Sequence, residues 1–295
     1  GRMRRVRVGD LLLRVRDEPE SGATGTVRGG GGLSLVCVHG AGMSSVVFMD
    51  TVRRFAPGRR VVAPDLPGHG QSARYSSLTD IGVQGYAATV AGLCDALRLT
   101  RVVLVGHSLG AAVALMLATQ QPDRVAGLVL LNGAAQLDVS DDVFGLLQAV
   151  CPSLDLPQGE RERVDRMPDA VADLMFSPHV SSDLRARWQA MLWATDRDVL
   201  LADFAACRGL DLRARLPVVR QPVLSIAGGD DLMVAPSRSA DTAARLSDAE
   251  HHALRDCGHL AHIERADAVY GLIDAFVRRC EKSQADSGLG AQQAG

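Results

Sequence analysis

Gly106-His107-Ser108-Leu109-Gly110 sets a serine between two glycines, a spacing that suits a strand-to-helix turn too sharp for bulkier neighbours. In such a turn the glycines let the backbone double back, and the serine hydroxyl stands out as a nucleophile. A glycine-rich phosphate cradle would instead need G-x-G-x-x-G spacing or a lysine after the last glycine, and neither is present. A serine nucleophile needs a base within hydrogen-bond reach and a carboxylate to hold that base in one tautomer. The histidines after Ser108 are His179, His251, His252, His259 and His262. His251 and His252 fall in a polar run, as surface or a strand start would. His259 follows Gly258, which frees the backbone there; His262 has no such glycine, so His259 is the expected base. Asp230 and Asp231 both follow Gly228-Gly229. On spacing alone either could orient the base, the other being a turn former. His107 is expected to pack beside the serine turn, and His69 to be structural or to line the site.

The elements that must position these groups alternate along the chain. Arg5–Val8 and Leu11–Arg16, parted by Gly9-Asp10, predict two short strands and a tight turn. Leu33–Val38, Arg60–Ala63, Arg101–Val105, Val125–Leu131, Pro222–Ala227 and His252–Leu254 predict further strands, several of them continuous apolar runs. Helical spacing marks 79–98, with Thr79 or Asp80 as N-cap, then Ala111–Gln120, Pro236–Leu246 and Ala266–Cys280. Short buried strands alternating with helices imply a mostly parallel sheet covered on both faces. The rhythm breaks between Gln136 and Arg215, where Ser140–Val150, Ser181–Thr195 and Asp196–Arg208 are helical and no good buried strand is found. The division expected is a core of 1–135 and 216–280, a helical cap of 136–215, and a disordered polar tail of 281–295. No internal repeat is visible.

With these motifs in place, the chain resembles the α/β-hydrolase superfamily over about residues 4 to 280, and within it the branch of small capped esterases, lipases and C–C bond hydrolases. His39-Gly40-Ala41-Gly42 resembles the family's HGxG segment, and Asp65-Leu66-Pro67-Gly68-His69-Gly70-Gln71-Ser72 its D-x-P-G-x-G-x-S loop. Both stand in family order with the serine turn. The resemblance implies an α/β fold with a mostly parallel eight-stranded sheet, flanking helices and an inserted helical cap. It places the base at His259 in a GHxxxxE segment and selects Asp231 as the acid. It also implies an oxyanion hole made by the backbone N–H groups of Ala41 and Leu109. No GGGX run is present, so the hole resembles the family's simpler kind.

Both tryptophans, Trp188 and Trp193, and three of the six phenylalanines lie in the cap segment. They either hold that subdomain together or wall an apolar site, with Met43, Leu109 and Met233 as further wall candidates. The expected activity is hydrolysis of a small to medium carboxylic ester, lactone or thioester through an acyl-enzyme on Ser108. A C–C bond hydrolase of β-diketone-like acids would use the same three residues, and a slow-turnover receptor could keep them. Relatives that open epoxides or haloalkanes carry Asp where Ser108 stands, which disfavours both reactions.

The 295 residues carry a net charge of −2 with 47% hydrophobic and 22% charged residues, which suits a globular protein with a sizeable core. That balance gives no reason to expect nucleic acid or an anionic membrane as partner. No apolar run is long enough to span a bilayer. Six scattered cysteines without CxxC predict free, buried thiols and no metal site. A small apolar substrate, no cofactor and a cytoplasmic setting are the expectations.

Overall fold

Continuous apolar strands can satisfy both faces only inside a sheet covered on two sides. In the computed structural model, which describes residues 2–18, 33–150, 163–164, 169–191 and 195–293, that is where they lie. Eight strands form the main sheet: β1 (Arg2–Val8), β2 (Leu11–Glu18), β3 (Ser34–Val38), β4 (Val61–Pro64), β5 (Val102–His107), β6 (Val125–Leu131), β7 (Val223–Gly228) and β8 (Ala249–Leu254). Their spatial order is β1-β2-β4-β3-β5-β6-β7-β8. β1 is antiparallel to β2 and β2 to β4; every later pair is parallel. All residues of β4, β5, β6 and β7 are buried. The edge strand β1 instead exposes Arg2, Arg4, Arg5 and Arg7, charges that discourage pairing with another chain.

The strand order reverses between β3 and β5. From β3 the chain moves one way to β4, and from β5 the other way to β6. Loops leaving two such strands diverge and open a crevice at their carboxyl ends. Val38 pairs with Gly106 in the β3–β5 register, so the segments beginning at His39 and Ser108 leave the sheet side by side.

Helices α1 (Met49–Phe55), α2 (Val83–Ala96) and α3 (Leu109–Gln120) follow β3, β4 and β5. α3 buries every residue from Leu109 to Ala118, as a helix apolar on all sides must. Between β6 and β7 come α4 (Asp141–Val150), α5 (Asp169–Met175), α6 (Ser182–Gln189) and α7 (Arg197–Cys207). The two ends of this insert are joined where Gln136–Leu137 pairs with Leu210–Asp211. α8 (Pro236–Ala244), α9 (Ala261–Glu264) and α10 (Ala266–Gln293) complete the chain.

Several boundaries differ from the sequence reading. The helix expected from residue 79 starts at Val83: Ser77 caps a separate short turn, Leu78–Asp80, and Gly82 at φ 147° breaks the path between them. In the insert, α6 stops at Gln189, and Thr195–Asp196 is extended and paired with Arg163–Val164. Strands of two residues carry no periodicity from which to find them. The tail from 281, expected to be disordered, continues α10 as far as Gln293, Gly288 and Gly290 included; extending a formed helix adds a bond for each residue fixed. Cys37, Cys94, Cys207, Cys257 and Cys280 are free and buried, and Cys151 lies outside the described residues.

α10 packs directly on the sheet at Gly127, where a β-carbon would come within 2.7 Å of Cys280 Sγ and 3.1 Å of the Phe276 ring. Gly127→Ala is expected to destabilise the fold by about 1–3 kcal/mol through overpacking, measured by urea unfolding. Adding Cys280→Ala should recover most of that loss, and no recovery would place the strain elsewhere.

Candidate active site

Ser108 alone makes the turn between β5 and α3, with φ 54° and ψ −119°. For a residue with a side chain this conformation costs on the order of 1–3 kcal/mol, and it persists only where the surroundings over-determine it. Here they do. A β-carbon on Gly106 would stand 2.2 Å from the Gly110 carbonyl oxygen, and one on Gly110 would stand 2.1 Å from that of Val38. The Ser108 N–H donates to the Leu131 carbonyl at 2.9 Å, and the Ser108 carbonyl accepts from the Ala111 N–H at 2.9 Å. From Val102 through Ala118, Ser108 is the one residue that is not fully buried.

The loops after β7 and β8 meet through another pair of glycines. A β-carbon on Gly228 would lie 2.0 Å from the Gly258 carbonyl oxygen, and the Asp230 N–H donates to the Cys257 carbonyl at 2.8 Å. This contact brings His259 Nδ1 to 2.8 Å from Asp231 Oδ2. The other oxygen, Oδ1, accepts from the N–H groups of Met233 at 2.8 Å and Val234 at 2.9 Å. An ionised carboxylate can only accept, so Nδ1 carries the proton and Nε2 of the neutral ring keeps its lone pair. Both side chains are buried. Asp230 points elsewhere and accepts from the Ser177 hydroxyl at 2.6 Å. Of the two carboxylates left open on spacing, Asp231 is the one that faces the histidine.

The competing histidines are occupied differently. His262 is fully buried, stacked on Phe48 at 5.4 Å between ring centroids, and burial pushes its pKa down to about 3. His107 packs 4.9 Å from the His259 ring, and its Nε2–H donates to the His259 carbonyl at 2.8 Å. Burial, with His259 and His262 beside it, holds His107 well below the usual histidine range. His251 faces Ser225, and His252 pairs with Glu250.

Ala41 lies in the segment leaving β3, and Leu109 is the first residue of α3. A β-carbon on Gly40 would come 3.0 Å from Ser108 Cβ, so the strand of backbone carrying Ala41 runs against the serine. The N–H groups of residues at the start of a helix have no partner within it, which suits Leu109 to receive a negative oxygen. Met43 is buried, Met233 half-buried, and Trp188 buried within the hydrophobic core. Trp193 lies outside the described residues. Among the described residues, one group of potential metal ligands, His179, Asp230 and Asp256, gathers within 4.8 Å. Its carboxylates already serve Ser177 and Arg265.

Two residues in the site carry no role in the sequence reading. Asn132 follows β6 in the left-handed conformation at φ 48°, which asparagine tolerates better than most residues. Its amide donates to Asp231 Oδ2 at 3.0 Å and to the Gly258 carbonyl at 2.9 Å, and its oxygen accepts from the Ala261 N–H at 3.1 Å. One side chain thus ties the acid to the loop carrying the base. The signal was an asparagine set between a buried strand and Gly133, and it is weak. Glu264 closes the same loop, accepting from the N–H groups of Gly258 at 3.0 Å, Leu260 at 3.3 Å and, across to the insert, Ser177 at 3.0 Å. Burial raises its pKa.

The family model for the alpha/beta hydrolase fold matches residues 34–266, and the chain belongs to that family. Among characterised proteins it is similar to the magnesium-chelatase 30 kDa subunit of Rhodobacter capsulatus, 30% identical over 81% of this chain and 84% of that one. It is also similar to the 2-hydroxy-6-oxo-2,4-heptadienoate hydrolase of Pseudomonas putida, 28% identical over 84% of this chain and 90% of that one. A third relative is the pimeloyl-acyl-carrier-protein methyl ester esterase of Vibrio atlanticus, 28% identical over 85% of this chain and 96% of that one.

His39, His107 and His262 are buried and held neutral, His39 at about 4 through burial and the neighbouring His69. Below the ordinary pKa of about 6.5 the unfolded chain takes up protons that the folded protein refuses. The stability these residues confer is therefore whole above that pH and is lost as pH falls toward the folded values. Between pH 6.5 and 5 the loss is about 2 kcal/mol for each histidine. His262→Phe should flatten the slope of unfolding free energy against pH over that interval. An unchanged slope in urea unfolding would mean that His262 titrates freely in the folded protein.

Proposed function

We propose that the protein is a serine hydrolase that cleaves a small to medium carboxylic ester, lactone or thioester through an acyl-enzyme. The observation that carries this reading is the 2.8 Å contact of His259 Nδ1 with Asp231, which leaves Nε2 as the free base of a site built around a strained serine. Ser108 Oγ attacks the carbonyl carbon while His259 Nε2 takes the hydroxyl proton. Negative charge builds on the carbonyl oxygen, where the N–H groups of Leu109 and Ala41 receive it. As the tetrahedral intermediate collapses, the C–O or C–S bond to the leaving group breaks and His259 returns the proton to it. Water then repeats the sequence on the acyl-serine and releases the acid. Asp231 stays ionised throughout, stabilising the imidazolium and fixing its orientation. Met43, Met233 and Trp188 are the proposed wall of the substrate site.

A second reading is hydrolysis of a C–C bond in a keto acid, which would use the same three residues; the Pseudomonas putida relative is a hydrolase of such an acid, 2-hydroxy-6-oxo-2,4-heptadienoate. That reaction calls for a cation in the cap to hold a substrate carboxylate. Of the arginines in the insert, Arg185 and Arg208 are committed to Asp173 and Asp141, Arg187 is exposed, and Arg197 is half-buried on α7.

Release of p-nitrophenol from the acetate, butyrate and octanoate esters is expected for the wild type. In Ser108→Ala it should fall by about four orders of magnitude or more, and chain-length preference sizes the wall. Release that survives in Ser108→Ala would overturn the serine mechanism. No release by the wild type would shift weight to the C–C reaction or to a receptor role. Asn132→Ala should lower kcat by about 10- to 100-fold through misplacement of the Asp231–His259 pair, with little change in KM. A pure KM effect would remove Asn132 from that role.

A further inference from the structure

Gly42 is gripped on both sides by the cap. Its N–H donates to Asp203 Oδ2 on α7 at 2.9 Å, and its carbonyl accepts from the Thr195 hydroxyl at 3.1 Å. These partners lie more than 150 residues away along the chain, yet Asp203 is fully buried. Two further donors converge on its carboxylate: the Tyr86 hydroxyl at 2.6 Å on Oδ1, and His69 Nε2 at 2.8 Å on Oδ2. His69 is also fully buried, and its Nδ1 lies 3.1 Å from the Pro67 carbonyl. A carbonyl only accepts, so Nδ1 is protonated, and a carboxylate already serving two other donors draws a second proton to Nε2. Burial opposes that charge, but Asp203, aided by the Pro67 carbonyl and Asp65, raises the His69 pKa above its ordinary value; His39 and Tyr86 are the other titratable rings against it.

A buried ion pair is a poor source of net stability, because desolvation offsets most of the attraction. Its value lies in what it fixes. Gly40 to Met43 form a turn closed by the Met43 N–H and the Gly40 carbonyl at 3.2 Å, with Gly42 at φ 66°. A positive φ at the third position is the type II form, and rotating its central peptide by half a turn gives the type I form, open to most residues. In the type I form the Gly42 N–H would no longer face Asp203. α7 is itself pinned nearby: Val199 lies where a β-carbon on Gly68 would meet it at 2.9 Å, and Arg74 bridges Asp196 and Asp198.

We propose that Asp203, on the cap helix α7, is a positioning residue for the oxyanion hole: by holding the Gly42 N–H it fixes the Ala41–Gly42 peptide, keeps the Ala41 carbonyl directed away from Asp203, and so steadies the backbone from which the adjoining Ala41 N–H faces a carbonyl held at Ser108. The inference rests on the ester-hydrolase reading above. The cap therefore takes part in catalysis as well as covering the site.

Asp203→Asn, which keeps the shape but loses the charge, and Asp203→Ala test this in the full chain. With p-nitrophenyl butyrate, kcat should fall by about 10- to 100-fold while KM stays within about twofold. Affinity for a trifluoromethyl ketone, which forms an oxyanion adduct on the serine, should fall by a similar factor. Hydrogen exchange of the amides in residues 39–43 should accelerate locally, with exchange in β5 and β6 unchanged. A kcat within about twofold of the wild type, or unaltered affinity for the ketone, would overturn the proposal. If Asp203→Ala does not fold, Asp203→Asn carries the test. Should the wild type show no Ser108-dependent release, the ester reading fails, and exchange still decides the anchor: unchanged protection of residues 39–43 in Asp203→Asn overturns it.

Discussion

Gly110 has no room for a side chain, because α3 begins with its backbone against the carbonyl oxygens of Val38 and His39. That approach sets where the helix can start, and so how sharply β5 must turn into it. The sharpness puts Ser108 in a conformation that an isolated chain would leave. The β3 segment is held against the same turn by Gly40, with the Ala41 amide one residue further on. The β6 segment reaches it through the Leu131 carbonyl. Ser108, the amides of Ala41 and Leu109 and the asparagine after β6 thus share one crowded corner of the sheet.

His259 and Asp231 are assembled by a different kind of constraint. Asp231 accepts from His259, Asn132 and two backbone N–H groups. Four donors leave a buried carboxylate few alternative arrangements, and each rotation away would strand a polar group without water. The site thus rests on packing at the serine and on hydrogen bonding at the base. His107, next to Ser108 in sequence, couples the two by donating to the His259 carbonyl.

Much of this was legible before any coordinates. The buried strands declared themselves as apolar runs, and the serine turn by glycines at a spacing that few other structures require. The acid was harder, because Asp230 and Asp231 are chemically identical and only the path of the loop separates them. Asn132 and Asp203 were illegible for a different reason. Each acts through partners about 100 to 160 residues distant, and no local pattern records such a contact. The insert between β6 and β7 followed the same logic: its longer helices show a period, while its two-residue strands depend on pairing alone.

Glu264 ends in the last third of the chain yet holds an N–H of the insert and two of the base loop in one carboxylate. An insert between two strands could in principle be an interchangeable module. Here the seam between module and chassis passes through the loop that presents His259, whose own N–H is bonded to Met175 of α5. A transplanted cap would have to bring its own Met175 carbonyl and Ser177 amide to the same places. Altering side chains within the insert leaves those two backbone contacts in place; exchanging it whole would break them.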